Sequence, residues 1–271
     1  MLNCAESSLW LGTTEAKHSG VSRNFMTDSE KIINETKRYI LEVFKSGLNK
    51  QQQTALKLKN GIDLFIGKQF ADIEILKNEI IDRCEEELNE YYNIESGNQV
   101  FRKRIDIIRD EFKNFVKNLN PQFIDSQQLP FERRLNNLEA KKLTENLKDL
   151  WDFDAWRQNN YYWEPLAKTD NKNPLIYFNV NIFNDIDLDL QKKIIQKLSG
   201  DKIYKLTEEH LDYEIETNEF DTEYECAYTN MKNDYLIYLS HERTITFSGK
   251  DLVYEIENNF AEKLSFKNPW A

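Results

Sequence analysis

Glycine is scarce in this chain, eight residues among 271. That scarcity weighs against nucleotide-binding α/β folds, which use glycine in phosphate loops and tight turns. Cysteine is scarcer still: Cys4, Cys84 and Cys226 lie far apart and are odd in number. They offer no CxxC pair for zinc or redox exchange and no disulfide framework, so the cytoplasm is the expected compartment. No GxxxxGK[ST], GxSxG, HExxH or GxGxxG motif occurs, which removes the strongest sequence arguments for catalysis. No run approaches the ~18 apolar residues of a membrane span. The opening MLNCAESSLWLG lacks the basic segment and apolar core of a signal peptide.

What is present is a globular composition, 40% hydrophobic and 31% charged, with 13% aromatic residues, too many for a disordered chain. The net charge of −11 is unevenly placed. Residues 151–271 hold 23 Asp+Glu against 13 Lys+Arg, leaving 24 against 23 in residues 1–150. An acidic half argues against nucleic-acid or anionic-membrane binding and favours a basic protein partner drawn by long-range steering.

Residues 1–27 show no periodicity and read as a disordered leader. Residues 28–150 read as an antiparallel helical region. Asp28 or Ser29 caps the first helix, whose stripe is Ile32, Ile33, Thr36, Ile40, Val43 and Phe44. A second helix covers residues 51–65, with Gly61 as its weak point. Stripes from Ile73 to Tyr91 and from Phe101 to Leu119 predict a helical hairpin. Pro121 and Pro130 bracket a connector, and a last helix runs from Phe131 to Leu150.

Residues 151–271 read as an α+β domain: a mostly antiparallel sheet with helices packed on one face. Strands are expected at PLIYFNVNIF, KIYKL, DYLIYLS and TITF. The helix from Asp185 or Asp187 ends at Gly200, and another closes the chain near Leu264. Before the first strand, six aromatics fall within the thirteen residues from Trp151 to Trp163. They read as a core shared by the two halves, with Trp156, Tyr162 and Trp163 innermost.

Glu208 to Glu225 stands out: nine carboxylates in eighteen residues and no lysine or arginine. The acids alternate with apolar residues at strand spacing. Folded as a hairpin, Asp212, Glu214, Glu216, Asp221, Glu223 and Glu225 share one face, where like charges across a strand pair repel. This acidic hairpin is the expected binding surface for the basic partner.

Other constellations are weaker. The DxDxD at Asp185, Asp187 and Asp189 fails as a calcium loop, because Leu190 and Gln196 stand where glycine and glutamate are needed. His241, Glu242 and Arg243 at a sheet end could support acid–base chemistry, but neighbours on a strand point to opposite faces. His210 and His241 would suit zinc or manganese if their strands pair. The basic pairs Arg133-Arg134 and Lys141-Lys142 read as solvated faces or as intramolecular partners of the acidic hairpin. No cofactor is expected.

The ending DYLIYLSHERTITFSGKDLV resembles the terminal hairpin and helix of some uncharacterised bacterial proteins, among them proteins proposed as immunity proteins of polymorphic-toxin systems. The resemblance covers about twenty of the 271 residues and implies a cytoplasmic binding protein without transferring any functional residue. The expectation from the sequence is therefore a noncatalytic interaction protein of the immunity or inhibitor kind. Its rivals are a metal- or His-dependent hydrolase or transferase near His210 and His241, and a helical adaptor or self-associating scaffold using residues 70–120.

Overall fold

Helices fill the first half because apolar residues recur there every three or four positions. A computed structural model of the chain describes residues 26–46, 49–94, 99–153, 173–207, 211–222 and 225–268. Four helices come first: α1 (Asp28–Ser46), α2 (Asn49–Ile62), α3 (Ile73–Ile94) and α4 (Gln99–Asn118). The cap of α1 falls one residue before the expected pair. Thr27 Oγ1 accepts from Glu30 N while Glu30 Oε2 accepts from Thr27 N, a reciprocal cap. Ile40, Leu58, Ile62, Leu76, Ile80, Cys84, Phe112 and Val116 form the core of this region. Gly61 is a packing requirement and not a weak point, since a Cβ there would lie 2.8 Å from Cys84 Sγ. Helices α3 and α4 are antiparallel. Arg109 reaches Asn89, and Lys113 on the next turn reaches Glu85.

The connector is tied back to α1. Asn34 Oδ1 accepts from Leu129 N at 2.7 Å, and its amide donates to Gln127 O at 3.2 Å. It then enters a strand that the sequence did not predict, β1 (Glu132–Arg134). Helix α5 (Asn137–Trp151) starts later than expected, because Asn136 and Glu139 form its capping box.

Strands β2 (Leu175–Asn179), β3 (Lys202–Thr207), β4 (Asp212–Glu216), β5 (Cys226–Thr229), β6 (Leu236–Leu239) and β7 (Thr244–Ser248) complete a seven-stranded sheet. Its order is β1-β4-β3-β5-β6-β7-β2, with every pair antiparallel. Helices α6 (Asp185–Ser199) and α7 (Lys250–Asn259) complete the element order. The fold is α+β, with a helical N-terminal half and a C-terminal antiparallel sheet.

The acidic hairpin is not formed. Strand β4 pairs with β1 and β3, while β5, which follows the second acidic segment, pairs with β3 and β6, so β3 lies between β4 and β5. Both strands are antiparallel to β3 and hence parallel to each other. A tight turn cannot join parallel strands. Residues 217–222 instead start a crossover over a face of the sheet, held by Phe220, which is fully buried edge-on against Tyr228 with ring centroids 4.8 Å apart. Alternation sets which way a side chain faces but not which strand lies beside it.

The two faces are distinct. Ile203, Ile215, Tyr228, Ile237, Ile245 and Phe247 lie toward α6 and α7 in the main core. Leu206, Ala227, Leu236 and Tyr238 lie on the other face, where α5 adds Leu143, Leu147 and Trp151. Helix α6 is capped by Asn184, with Asp187 as the reciprocal partner of its capping box.

Candidate functional site

The expected binding carboxylates separate into unlike environments. Asp212 is buried, 3% exposed. Glu214 is clamped by Arg133 at 2.7 Å and Lys202 at 3.2 Å, so Arg133 is the intramolecular partner foreseen as one of its two roles. Asp221 sits on the crossover and pairs with Lys205 at 2.9 Å. Glu225 accepts from the Tyr238 hydroxyl at 3.0 Å. Glu216 is half-buried at the end of β4. Glu223 and His210 lie outside the described residues. Of the five described acids, Asp212, Glu214 and Glu216 alternate with Tyr213 and Ile215 on β4 while Asp221 lies on the crossover, and internal cations pair with Glu214 and Asp221.

His241, Glu242 and Arg243 form the exposed turn between β6 and β7. Arg243 adopts a φ of 62°, donates its N–H to Ser240 O, and is followed by Thr244, whose N–H donates to Ser240 Oγ. These contacts are those of a polar hairpin turn. His241 Nδ1 lies 3.8 Å from Glu225 Oε2, which brings two sequence candidates together across β5 and β6. Among the described residues, no three His, Cys, Asp or Glu side chains group as a metal set.

The most heavily charged region is one that sequence reasoning missed: the junction of α1 and α2 with the sheet edge. Asp63, just past α2 and fully buried, receives Lys37 at 2.9 Å and Lys59 at 2.6 Å. Both lysines also reach Glu132 of β1, each at 3.0 Å. Arg134, two residues on, holds Glu87 of α3 at 2.8 Å and donates to Asn60 O. Backbone bonding completes the junction, Arg134 N to Asp63 O at 3.0 Å. Four charges so close require mutual pairing, since an isolated buried charge would cost several kcal/mol.

Electrostatics follow from that arrangement. Burial alone would raise the Glu132 carboxyl, but Lys59 and Lys37 overcome it and bring its pKa down to about 2. Burial would lower Lys59, yet Asp63 and Glu132 raise it above the ordinary lysine value. Both groups are held in their charged forms. A lysine fixed as ammonium is a poor nucleophile or base, so the network suits holding and not proton transfer. Tyr213, with Lys59 over its ring at 5.0 Å, is pushed up by burial.

Beside this network opens a cleft of about 220 Å³. Its apolar walls are Leu41, Leu129, Pro130 and Ile215, and its charged residues are Lys37, Lys205, Glu132, Glu219 and Asp221. The lysines lie deeper, with side chains 5% and 18% exposed, against 32% for Glu132 and 34% for Asp221. Glu219 on the crossover is exposed and has no ion pair among the described residues. A wider depression lined by Arg38, Gln127 and Glu216 adjoins the cleft, sharing Leu129 and Pro130. The sequence signal for this site was present only in part, in the acids of the crossover and the prolines of the connector.

Of the aromatic run, Trp151 and Phe153 are buried where α5 meets the sheet. Trp151 Nε1 donates to Asn233 O at 3.1 Å, and Phe153 stands edge-on to Tyr238. Trp156, Tyr162 and Trp163 lie outside the described residues. Among the described residues, no helix is long and apolar enough to cross a membrane. Comparison with protein-family models, curated proteins and solved structures found no match to this chain.

Proposed function

We propose that this chain is a noncatalytic interaction protein, of the inhibitor or immunity kind, that binds a basic protein partner. One observation carries the reading: at the junction cleft the lysines lie inward and the carboxylates outward, so a partner entering it meets Glu132, Glu219 and Asp221 before Lys37 or Lys205. Glu216 and Asp201, the residue before β3, extend this acidic end of the sheet; neither has an ion pair among the described residues. The net charge of −11 adds long-range attraction toward a basic surface. The binding carboxylates of this reading are therefore those at the crossover and strand ends, and no longer the face of a hairpin. Cys84 and Cys226 are buried cysteines, in keeping with a reducing compartment such as the cytoplasm.

The test replaces the acids that the fold does not use. An Asp201→Asn, Glu216→Gln, Glu219→Gln triple variant keeps every ion pair described above. Binding to a hexa-arginine peptide is then compared with that of the parent chain at low and high ionic strength. The reading expects weaker binding by the variant at low salt and convergence at high salt. Equal binding at low salt by a folded variant overturns it.

A further inference from the structure

The junction cleft has properties beyond surface charge. Its volume of about 220 Å³ is below the ~300–1,000 Å³ typical of small-molecule and cofactor sites. It is of a size for one side chain. Its walls are aliphatic at Leu41, Leu129, Pro130 and Ile215, and its charges do not cancel: Lys37 and Lys205 face Glu132, Glu219 and Asp221. Behind the lining, Lys59 and Asp63 balance each other. Among the described residues the recess therefore carries one negative charge in excess, and Glu219 is its carboxylate without an ion pair.

A recess with apolar walls and one surplus carboxylate is complementary to a single cation on a long aliphatic stem. Between the two natural candidates the rim favours arginine. Its planar guanidinium offers five donors and can bridge more than one carboxylate, and it is more weakly hydrated than an ammonium, so burial costs less. Lysine would deliver the same charge as a strongly hydrated point. The stem would lie along Leu129 and Ile215, which matches the way long charged side chains cover apolar surface.

We infer that the cleft between α1, the connector and the crossover receives one arginine side chain of the basic partner, with Glu219 as its principal counter-charge. This rests on the basic-partner reading above and adds to it a specific seat. Arginine seated in a pocket is among the commonest makeups of an interface hot spot.

The experiment uses the full chain, isotopically labelled, titrated with a short peptide containing one arginine and with the same peptide containing citrulline. Citrulline keeps the shape of the side chain and removes its charge. The arginine peptide is expected to shift the amide signals of Leu129, Ile215, Glu219 and Asp221, and the citrulline peptide to leave them in place. Glu219→Gln is expected to weaken the arginine peptide about two- to fivefold, the range for a partly exposed charge pair. Leu129→Trp, which fills the recess, is expected to abolish the local shifts, and a lysine peptide to bind more weakly than the arginine one. Equal responses to arginine and citrulline, or shifts that avoid the cleft residues, overturn the inference. Hexa-arginine separates the two levels of the argument. If it binds in a salt-dependent way while the cleft signals stay unmoved, the basic-partner reading stands and the arginine seat is wrong. If it fails to bind at low salt, both are wrong.

Discussion

Glu132→Gln is the substitution whose outcome the junction network determines most directly. Glutamine keeps the shape and one acceptor oxygen but removes the charge that Lys37 and Lys59 share at 3.0 Å each. The lysines are left with Asp63 alone, and one of two positive charges loses its compensation. Removing one partner of a fully buried pair costs about 3–5 kcal/mol. Glu132 is 32% exposed, so solvent screening lowers the expected loss to roughly 2 kcal/mol at neutral pH. Acid titration gives a second, independent measure. The folded carboxyl is depressed from 4.5 to about 2, so its contribution is complete above the unfolded value and is lost as pH falls through the folded one. In that window the slope is at most ~1.4 kcal/mol per pH unit. The assay is urea unfolding of parent and variant at pH 7, 5, 4 and 3.5, followed by far-ultraviolet circular dichroism. The stability gap should stay constant from pH 7 to 5 and then narrow by up to about 1 kcal/mol per unit, as the parent acquires the neutral side chain the variant already has. A gap that is absent at pH 7, or that persists unchanged from pH 5 to 3.5, would refute the account of the network.

Other expectations follow from packing and burial. Gly61→Ala should destabilise by about 1–3 kcal/mol, because the new Cβ meets Cys84 Sγ at 2.8 Å and Cys84 Cα at 2.9 Å; the urea midpoint reports it. Phe220→Ala should cost about 3–5 kcal/mol by removing the fully buried ring that fastens the crossover to Tyr228, with increased proteolysis near residue 220 as a local readout. Cys84 and Cys226 should resist alkylation at pH 8 until urea is added, since burial raises both thiols, Cys226 to about 12; peptide mapping distinguishes them from Cys4. Arg133→Ala should leave Glu214 with Lys202 alone and Glu139 with only its capping bond from Asn136 N, lowering stability by roughly 1–2 kcal/mol.

The helices of the first half were legible because their apolar stripes are long and regular. Ile32, Ile40, Leu76, Ile80 and Phe112 are buried where the period of 3.6 puts them. The acidic segments were legible in alternation alone: Tyr213 and Ile215 do face the core, as do Cys226 and Tyr228. Their pairing was not legible, because Asn218-Glu219 reads locally like a turn while β3, ten residues upstream, supplies the better neighbour for both. Strand β1 was invisible because three residues, Glu132-Arg133-Arg134, carry no apolar signal and belong to the sheet only through their pairing with β4. The charged junction was hidden for the same reason. Lys37, Lys59, Asp63 and Glu132 are scattered over 95 positions and look like ordinary surface residues until tertiary contacts bury them.

The place of β1 also bears on how the chain can be divided. By sequence it lies with the helical half, yet it is an outer strand of the sheet, hydrogen-bonded along β4 from Glu132 to Arg134. A truncation that begins at residue 151 would strip this strand away and leave the backbone of β4 unpaired along a sheet margin, with Tyr213 and Ile215 beside it. Open margins of that kind recruit strands from other molecules. The helical half thus acts as an intramolecular guard against aggregation. An expressed C-terminal fragment should become soluble only when residues 131–150 are restored to it, because α5 also covers Leu206, Leu236 and Tyr238.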